Sequence, residues 1–399
     1  MLTYLQKDLE ALRATGNLRT LPHADYEGRY VHKDGRRMLN CSSNDYLGLA
    51  SDRGLYDEFL RTLPPAWRLP SASSSRLLTG NHPVSDALER RLAELYGKED
   101  ALTFNSGYDA NTGILPALAG KDDLIVADKL VHASLIDGIR LSAAAHIRYR
   151  HNDFSHLERL LEQQAGRHRL VFIVTESLFS MDGDAAPLAQ LVQLKRRHPN
   201  VVLYIDEAHA LGVRGPRGLG LAEEAGCVAD IDLLIGTLGK AAASSGAFLV
   251  CKGVVKEYLV NHVRPLIFTT SLPPITVAWS LYVMDKLPDL AEKRRQLDRL
   301  ATRMHAALDA MGRGLTRRSH IIPIAVGQSK DAVRLAEHLQ RCGFYLLPVR
   351  PPTVPEGTAR LRLSLRADMT EREIDALAAE LARALSGGGT VCEEGTPGV

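Results

Sequence analysis

The chain has 399 residues, 45% of them hydrophobic and 24% charged, with 49 Lys and Arg against 47 Asp and Glu for a net charge of +2. That is the balance of a folded globular protein long enough for more than one domain, and it excludes a disordered or fibrous chain. The near-neutral total gives no global electrostatic case for nucleic acid or an anionic membrane as partner.

The first stretch, "MLTYLQKDLEALRATGNLRT", carries charges throughout and has no apolar signal core. No later run is long and uncharged enough to span a membrane, so the expectation is a cytoplasmic protein. Leu5, Leu9 and Leu12 recur at helical spacing, and "GRYVHKDGRRMLNCSS" reads as a hairpin turning at Asp34-Gly35. Residues 1–45 are therefore expected to form an N-terminal arm and hairpin. From about residue 83, helical stretches such as "VSDALERRLAELYG" alternate with the apolar runs "DLIVAD", "LVFIVTES", "VVLYIDEAH" and "DLLIGTL". Continuous Val/Ile/Leu runs between helices predict a mostly parallel α/β sheet covered on both faces, here assigned to a large domain over 46–285. The texture then changes. Residues 286–311 read as one long amphipathic helix, and "HIIPIAVG", "FYLLPVRPPTVP" and "ARLRLSLR" supply strands for a smaller α+β domain over 286–385. The Gly-rich end, 386–399, is expected to be a disordered tail. The five cysteines are scattered, odd in number and free of any CxxC pair, which predicts reduced thiols and no zinc or other metal site.

Ligands of open α/β sheets bind beyond the carboxyl ends of the strands, and several polar clusters fall at such ends. In "FNSGYDANTGILPAL", Ser106-Gly107-Tyr108 precedes a helix start whose free N–H groups could hold a phosphate; the bland alternative is a small-residue cap. In "VVLYIDEAHALG" an apolar strand delivers Asp206, Glu207 and His209, and a charge placed straight after buried residues is unfavourable without a partner. Helicase motors also carry Asp-Glu-Ala-His, but they need a phosphate loop of the form GxxxxGK[ST]. In "GTLGK", Leu234 stands where the first glycine should be and Ala241 follows the lysine, so that reading fails. Lys240 sits among small and apolar neighbours in "DLLIGTLGKAAASSGAFLV", close behind Thr237. A lone lysine is most often a surface residue. An acidic strand end followed by a desolvated lysine after the next strand is, however, the pair pyridoxal phosphate requires: the amine binds the aldehyde as an imine, and the carboxylate keeps the pyridine nitrogen protonated.

The ordered motifs "LNCSSNDYLGLA", "SSRLLTGNHPVSDALERRLAELYG", "FNSGYDAN", "DKLVHASLIDGIRLS", "HNDFSHLERLL", "SLFSMDGDAAPLAQL", "YIDEAHALGVRGPRGLG", "GTLGKA", "FTTSLPP" and "RPPTVPEGTARLRLSL" together resemble the α-oxoamine synthases. These are pyridoxal-phosphate Claisen condensing enzymes of aminotransferase fold type I, and the resemblance runs from about residue 19 to 380. It implies Lys240 as the imine-forming lysine and Asp206 as the partner of the pyridine nitrogen. His132 would stack on the cofactor ring, although a lone histidine is about as often a helix cap or core residue. The backbone of Gly107 and Tyr108 and the Thr237 hydroxyl would hold the phosphate, with Thr270 reaching the phosphate of a second subunit in a homodimer with shared sites. Ser180 and His209 would bond the ring hydroxyl and its surroundings. Arg362 would grip the amino-acid carboxylate, with Asn44 and Thr353 near the substrates and Arg19 near the acyl thioester.

Within that family, "VRPPTVPEGTARLRL" implies condensation of L-alanine with a pimeloyl thioester, carried by coenzyme A or an acyl carrier protein, with loss of carbon dioxide. Glycine with acetyl-CoA is the alternative pair, and a non-catalytic binder on the same scaffold is the alternative class. The chain departs from the resemblance after the lysine. Family members often have a glycine-rich turn there, whereas this chain reads Ala241-Ala242-Ala243-Ser244-Ser245-Gly246, and alanine tolerates positive φ poorly.

Overall fold

The computed structural model describes residues 1–386, so the expected tail, apart from Ser386 at the end of the last helix, lies outside the described residues. The strands in chain order are β1 (Asp25–Glu27), β2 (Tyr30–Lys33), β3 (Arg36–Asn40), β4 (Asp100–Phe104), β5 (Leu124–Asp128), β6 (Ala145–Tyr149) and β7 (Val171–Glu176). There follow β8 (Val201–Asp206), β9 (Leu233–Thr237), β10 (Ala247–Cys251), β11 (Ile321–Gly327), β12 (Phe344–Tyr345), β13 (Pro348–Val349) and β14 (Ala359–Ser364). Two compact units emerge. One comprises Met1–Ser51, Met181–Gly183 and the chain from Arg295; the other comprises Asp52–Ser180 and Asp184–Arg294.

The second, larger unit is built on a seven-stranded sheet in the order β4-β10-β9-β8-β7-β5-β6. Only β10 runs against the rest. The apolar runs predicted as strands are β5, β7, β8 and β9. Strands β4, β6 and β10 complete the sheet. β5 and β7 are buried along their whole length, as parallel strands covered on both faces must be. One face packs Phe104, Ile125, Val174, Tyr204, Ile235 and Leu249 against helices Gly107–Leu118 and Ala133–Leu141. Those two helices lie so close at Gly138 that a Cβ there would collide with the Asn111 carbonyl, which requires glycine at that crossing. Both helices begin at strand carboxyl ends, and both are capped by a side chain. Ser106 accepts the Asp109 N–H, and His132 accepts the Ser134 N–H.

The first unit carries a four-stranded sheet, β1-β2-β3-β12, and a three-stranded antiparallel sheet, β11-β14-β13. The β2–β3 hairpin turns where the sequence predicts, with Asp34 at φ 51° and Gly35 at φ 72°, the paired left-handed residues of a type I′ turn. The hairpin does not stand apart as an arm. β12 pairs in parallel with β3, matching Phe344 to Leu39 and Tyr345 to Asn40, so the N-terminal strands and the C-terminal segment share a sheet. The limits at 51/52 and 294/295 replace the expected 45/46 and 285/286. The helix expected over 286–311 is shorter: Leu287–Asp289 is a 3₁₀ turn holding Pro288, and the regular helix runs Ala291–Ala310. The last helix, Glu371–Leu385, opens on a capping box in which Thr370 and Glu373 bond each other's backbone N–H. Among the described cysteines, Cys41, Cys227 and Cys251 are free and buried. No helix among the described residues is long and apolar enough to cross a membrane.

Candidate active site

Asp206 ends β8 with its side chain 6% exposed and both oxygens engaged: Asn111 Nδ2 donates to Oδ2 at 2.9 Å and the Ala208 N–H to Oδ1 at 2.9 Å. Asn111 is itself fixed. Its Oδ1 accepts from the Tyr204 hydroxyl at 2.7 Å, and its Nδ2 also donates to Ser134 Oγ at 3.0 Å. The chain of bonds continues to His132, whose Nδ1 lies 2.8 Å from Ser134 Oγ and accepts the Ser134 N–H at 3.2 Å. Nδ1 is therefore the acceptor nitrogen, which leaves the proton of the neutral ring on Nε2. His132 is thus a helix cap, the role expected of an ordinary histidine, and is at the same time wired through Ser134 and Asn111 to Asp206. Burial, with Lys240 adding to it and Asp206 opposing, lowers its pKa and favours the neutral ring.

Two further carboxyls lie behind this row. Glu176 ends β7 and accepts the His132 N–H at 2.7 Å; burial, reinforced by Asp206, pushes it up to about 8. Glu207 is fully buried and accepts from Ser177 Oγ at 2.5 Å and from the N–H groups of Leu221 and Ala222 at 3.0 and 2.7 Å. Burial raises it to about 7 against those three donors.

Lys240 follows β9, the strand paired with β8, and is half-buried. Its Nζ lies 2.8 Å from His209 Nε2, a contact that needs a lone pair on one of the two nitrogens. The turn beyond it resolves the question raised by the alanines. Ala243 itself adopts φ 50°, closing on the Lys240 carbonyl through its N–H at 2.8 Å, while Gly246 takes φ 101°. Such a conformation in alanine is unfavourable by roughly 1 kcal/mol or more. Its surroundings hold it: Trp279 Nε1 donates to the Ala243 carbonyl at 2.8 Å, and Ser244 Oγ meets Ser280 Oγ at 2.7 Å.

The other residues expected on this unit fall as follows. Gly107 starts its helix, with Thr237 Oγ1 3.8 Å from the place a Gly107 Cβ would take, so a hydroxyl and a helix N-terminus flank one small space. Tyr108 is 48% exposed and its hydroxyl donates to Asp137. Ser180 is buried in the loop after β7. Thr270 offers its carbonyl to Asn105 Nδ2 at 2.7 Å, immediately before the Ser106 cap. An aldehyde-binding amine, a fixed carboxylate for a ring cation, a flat ring and a phosphate-sized helix terminus are the donor set pyridoxal phosphate needs, and the residues present fit it.

The remaining four fall in the other unit. Arg362 on β14 donates through Nη1 to Asn44 Oδ1 at 3.1 Å and Ser364 Oγ at 2.7 Å, and through Nη2 to the Tyr46 hydroxyl at 3.1 Å. These three acceptors are uncharged, and a guanidinium fork is the group whose geometry matches a carboxylate. Arg19 Nη2 donates to Thr353 Oγ1 at 2.8 Å, bringing those two together as well.

The aminotransferase class I and II family model matches residues 36–381. The chain belongs to that family. It is 52% identical over 385 residues to the 8-amino-7-oxononanoate synthase of Haemophilus ducreyi, covering 95% of this chain and all of that one. Among solved structures, a Sphingomonas wittichii serine palmitoyltransferase superposes with a TM-score of 0.87 at 32% identity, over 96% of this chain and 97% of the other. An 8-amino-7-oxononanoate synthase from Francisella tularensis gives 0.74 at 28%, over 88% and 98%. As a member of the aminotransferase class I and II family the chain uses pyridoxal phosphate. Asn111, Ser134, Glu176, Tyr46 and Ser364 join the site with no role assigned to them in the sequence motifs. Asn111 lay inside the quoted "FNSGYDAN", and its signal was an amide on the buried face of a helix that starts at a strand end.

Proposed function

We infer that this protein is an acyltransferase that joins L-alanine to a pimeloyl thioester, releasing carbon dioxide and free thiol and forming 8-amino-7-oxononanoate, a step of biotin biosynthesis. One observation carries the chemistry: a fixed, buried carboxylate, Asp206, ends one parallel strand, and a lysine amine, Lys240, follows the strand paired with it. When bound, pyridoxal phosphate supplies an electron sink that stabilises negative charge at the amino-acid α-carbon. The residues of this chain do the rest. Asp206 offers a fixed anion to the ring nitrogen, and the network from Asn111 holds that anion in one orientation. Lys240 would hold the cofactor through its aldehyde, and its amine would move the proton at the amino-acid α-carbon. His209 is a hydrogen-bond partner within reach of that amine. His132, neutral and fixed by Ser134 and Glu176, presents a flat face to the ring. Gly107, Tyr108 and Thr237 hold the phosphate, Ser180 the ring hydroxyl. Arg362 receives the alanine carboxylate, with Asn44 beside it, and Arg19 with Thr353 serves the acyl thioester. The same reading carries a cytoplasmic homodimer in which Thr270 serves the other subunit's phosphate, and a thioester borne by coenzyme A or an acyl carrier protein.

The identity of 52% over the full length of a named synthase supports alanine and pimeloyl thioester over glycine and acetyl-CoA. The four pairings of alanine or glycine with pimeloyl-CoA or acetyl-CoA test it. Each methylene of a buried acyl chain adds about 0.8 kcal/mol, so the pimeloyl thioester with alanine is expected to give the highest kcat/KM. A highest value for glycine with acetyl-CoA would leave the family and remove the substrate assignment.

A further inference from the structure

His151 lies in "HNDFSHLERLL", a motif to which none of the roles above is attached, on the loop after β6. Its Nδ1 meets Asp128 Oδ1 at 2.9 Å and its Nε2 meets Asp184 Oδ2 at 2.8 Å. Both carboxylates are buried, Asp128 fully so. A neutral imidazole has one N–H and would aim a lone pair at one of the two anions. Only the imidazolium donates to both. The two carboxylates raise the ring's pKa to about 9, overriding burial, which acts the other way.

What the cation joins is specific. Asp128 ends β5, and besides His151 its carboxylate accepts the N–H of Leu130 at 2.8 Å and of Asn152 at 2.9 Å. The segment it closes, 128–132, delivers His132 to the start of its helix. Asp184 closes the loop on the far side of Ser180: its carbonyl accepts the Phe179 N–H at 2.9 Å, its carboxylate accepts Asn152 Nδ2 at 2.7 Å, and Leu178 bridges Ala185. Phe179, the residue before Ser180, stands edge-on to the His151 ring, with centroids 4.5 Å apart. One imidazolium therefore pins together the segment leading to His132 and the loop bearing Ser180. Besides Asp128 and Asp184, titratable side chains facing this cluster include Tyr149, bonded to Asp128, and Glu176, which feels the Asp128 charge.

We propose that His151, held as a cation between Asp128 and Asp184, is a positioning residue that sets the cofactor-facing geometry of His132 and Ser180. This rests on the functional reading above for the roles of those two residues. The test uses His151→Gln and the isosteric Asp184→Asn. Both are measured as the pyridoxal-phosphate-loaded protein for visible circular dichroism, kcat and KM, and the wild type is followed without cofactor by NMR of 15N-labelled histidine. Expected are a His151 ring carrying both N–H protons through pH 8, an altered dichroic band in both variants, and a kcat reduced about tenfold, the loss set by one charge-assisted bond, at little change in KM for the thioester. Asp184→Asn, which keeps an acceptor for His151, is expected to act in the same direction and less strongly. A His151 ring that titrates near 6.5 overturns the proposal. So does a pair of variants with lowered melting temperature but wild-type dichroism and kcat, because a purely structural link predicts that. If wild type fails to condense alanine with pimeloyl-CoA, the functional reading falls, while the NMR and dichroism arms still decide the role of His151.

Discussion

The two units hold their functional side chains in different ways. In the larger unit the candidates stand where chain order puts them, at the carboxyl ends of β5, β7, β8 and β9, and each is fixed by neighbours on the adjacent strand or helix: Asp206 by Asn111, His132 by Glu176, Lys240 by His209. In the smaller unit the Arg362 cluster sits on an antiparallel strand and is completed by Asn44 and Tyr46 from the other end of the sequence, 318 and 316 residues away. An amide, a carboxylate and an imidazole fix the first set. Hydroxyls and an amide line the guanidinium of the second. The difference teaches that the larger unit fixes its ionisable groups through neighbours on adjacent strands and helices, whereas the smaller one surrounds an arginine with polar groups drawn from both ends of the sequence.

If that contrast holds, substitutions in the two units should separate in kinetics. Lys240→Ala removes both proton transfers and is expected to lower kcat on the order of 10⁴-fold, with the variant still able to take up cofactor non-covalently and so lacking the wild-type absorption band. Asp206→Asn keeps an oxygen for only one of the bonds from Asn111 and Ala208 and withdraws the buried anion. A loss of roughly 2–5 kcal/mol of charge pairing corresponds to 10²-fold or more in kcat. Stopped-flow and steady-state assays would check both, and near-normal turnover of Asp206→Asn would break the idea that the larger unit works by fixed charge. Arg362→Lys keeps the charge and loses the fork, so the smaller unit should show its effect in KM for alanine, about 10-fold or somewhat more, with kcat falling less. A change confined to kcat would erase the distinction between the units.

What could be read from the sequence follows the same division. Strand-end chemistry is local: "LYIDEAH" shows an apolar run turning abruptly to three ionisable residues, and the strand, the exit direction and the candidate carboxylate are all contained in seven letters. The hairpin at Asp34-Gly35 was legible for a similar reason, because two residues that accept positive φ specify the turn. The Arg362 cluster has no such pattern. Its partners are remote in sequence, and only the resemblance of "ARLRL" to a family motif singled out that arginine. β12 joining β3 was equally invisible, since a two-residue strand carries no periodicity and parallel pairing across about 300 residues leaves no local trace. Asn111 and Ser134 were missed because a buried amide or hydroxyl on a helix looks like capping or packing until its partner, here Asp206, is placed. The turn at Ala243 shows the converse. Composition flagged it correctly as strained, but the bond from Trp279 that holds it comes from a separate helix.

A smaller effect should distinguish the units by pH, through two glutamates of opposite sign. Glu373, in the capping box of the smaller unit, is part-buried, yet hydrogen bonds from Tyr30, Thr370 and Arg29 hold its pKa below the ordinary carboxyl value. The folded state therefore binds fewer protons than the unfolded chain below the ordinary value near 4.5. The stability Glu373 contributes is complete above that pH and is lost as pH falls through the lowered folded value. Glu207, buried behind Asp206, is raised to about 7. Between about 4.5 and 7 the folded state holds a proton the unfolded chain releases, so the stability from Glu207 is greatest below that window and erodes as pH rises through it. Urea unfolding midpoints of wild type, Glu373→Gln and Glu207→Gln across pH 4 to 8 would expose this. The gap between wild type and Glu373→Gln should widen with rising pH and then level, while the gap to Glu207→Gln should narrow, the latter by up to about 3 kcal/mol. Parallel curves for the two variants would mean that the buried carboxyl behind Asp206 is ionised throughout, and that its three hydrogen-bond donors outweigh burial.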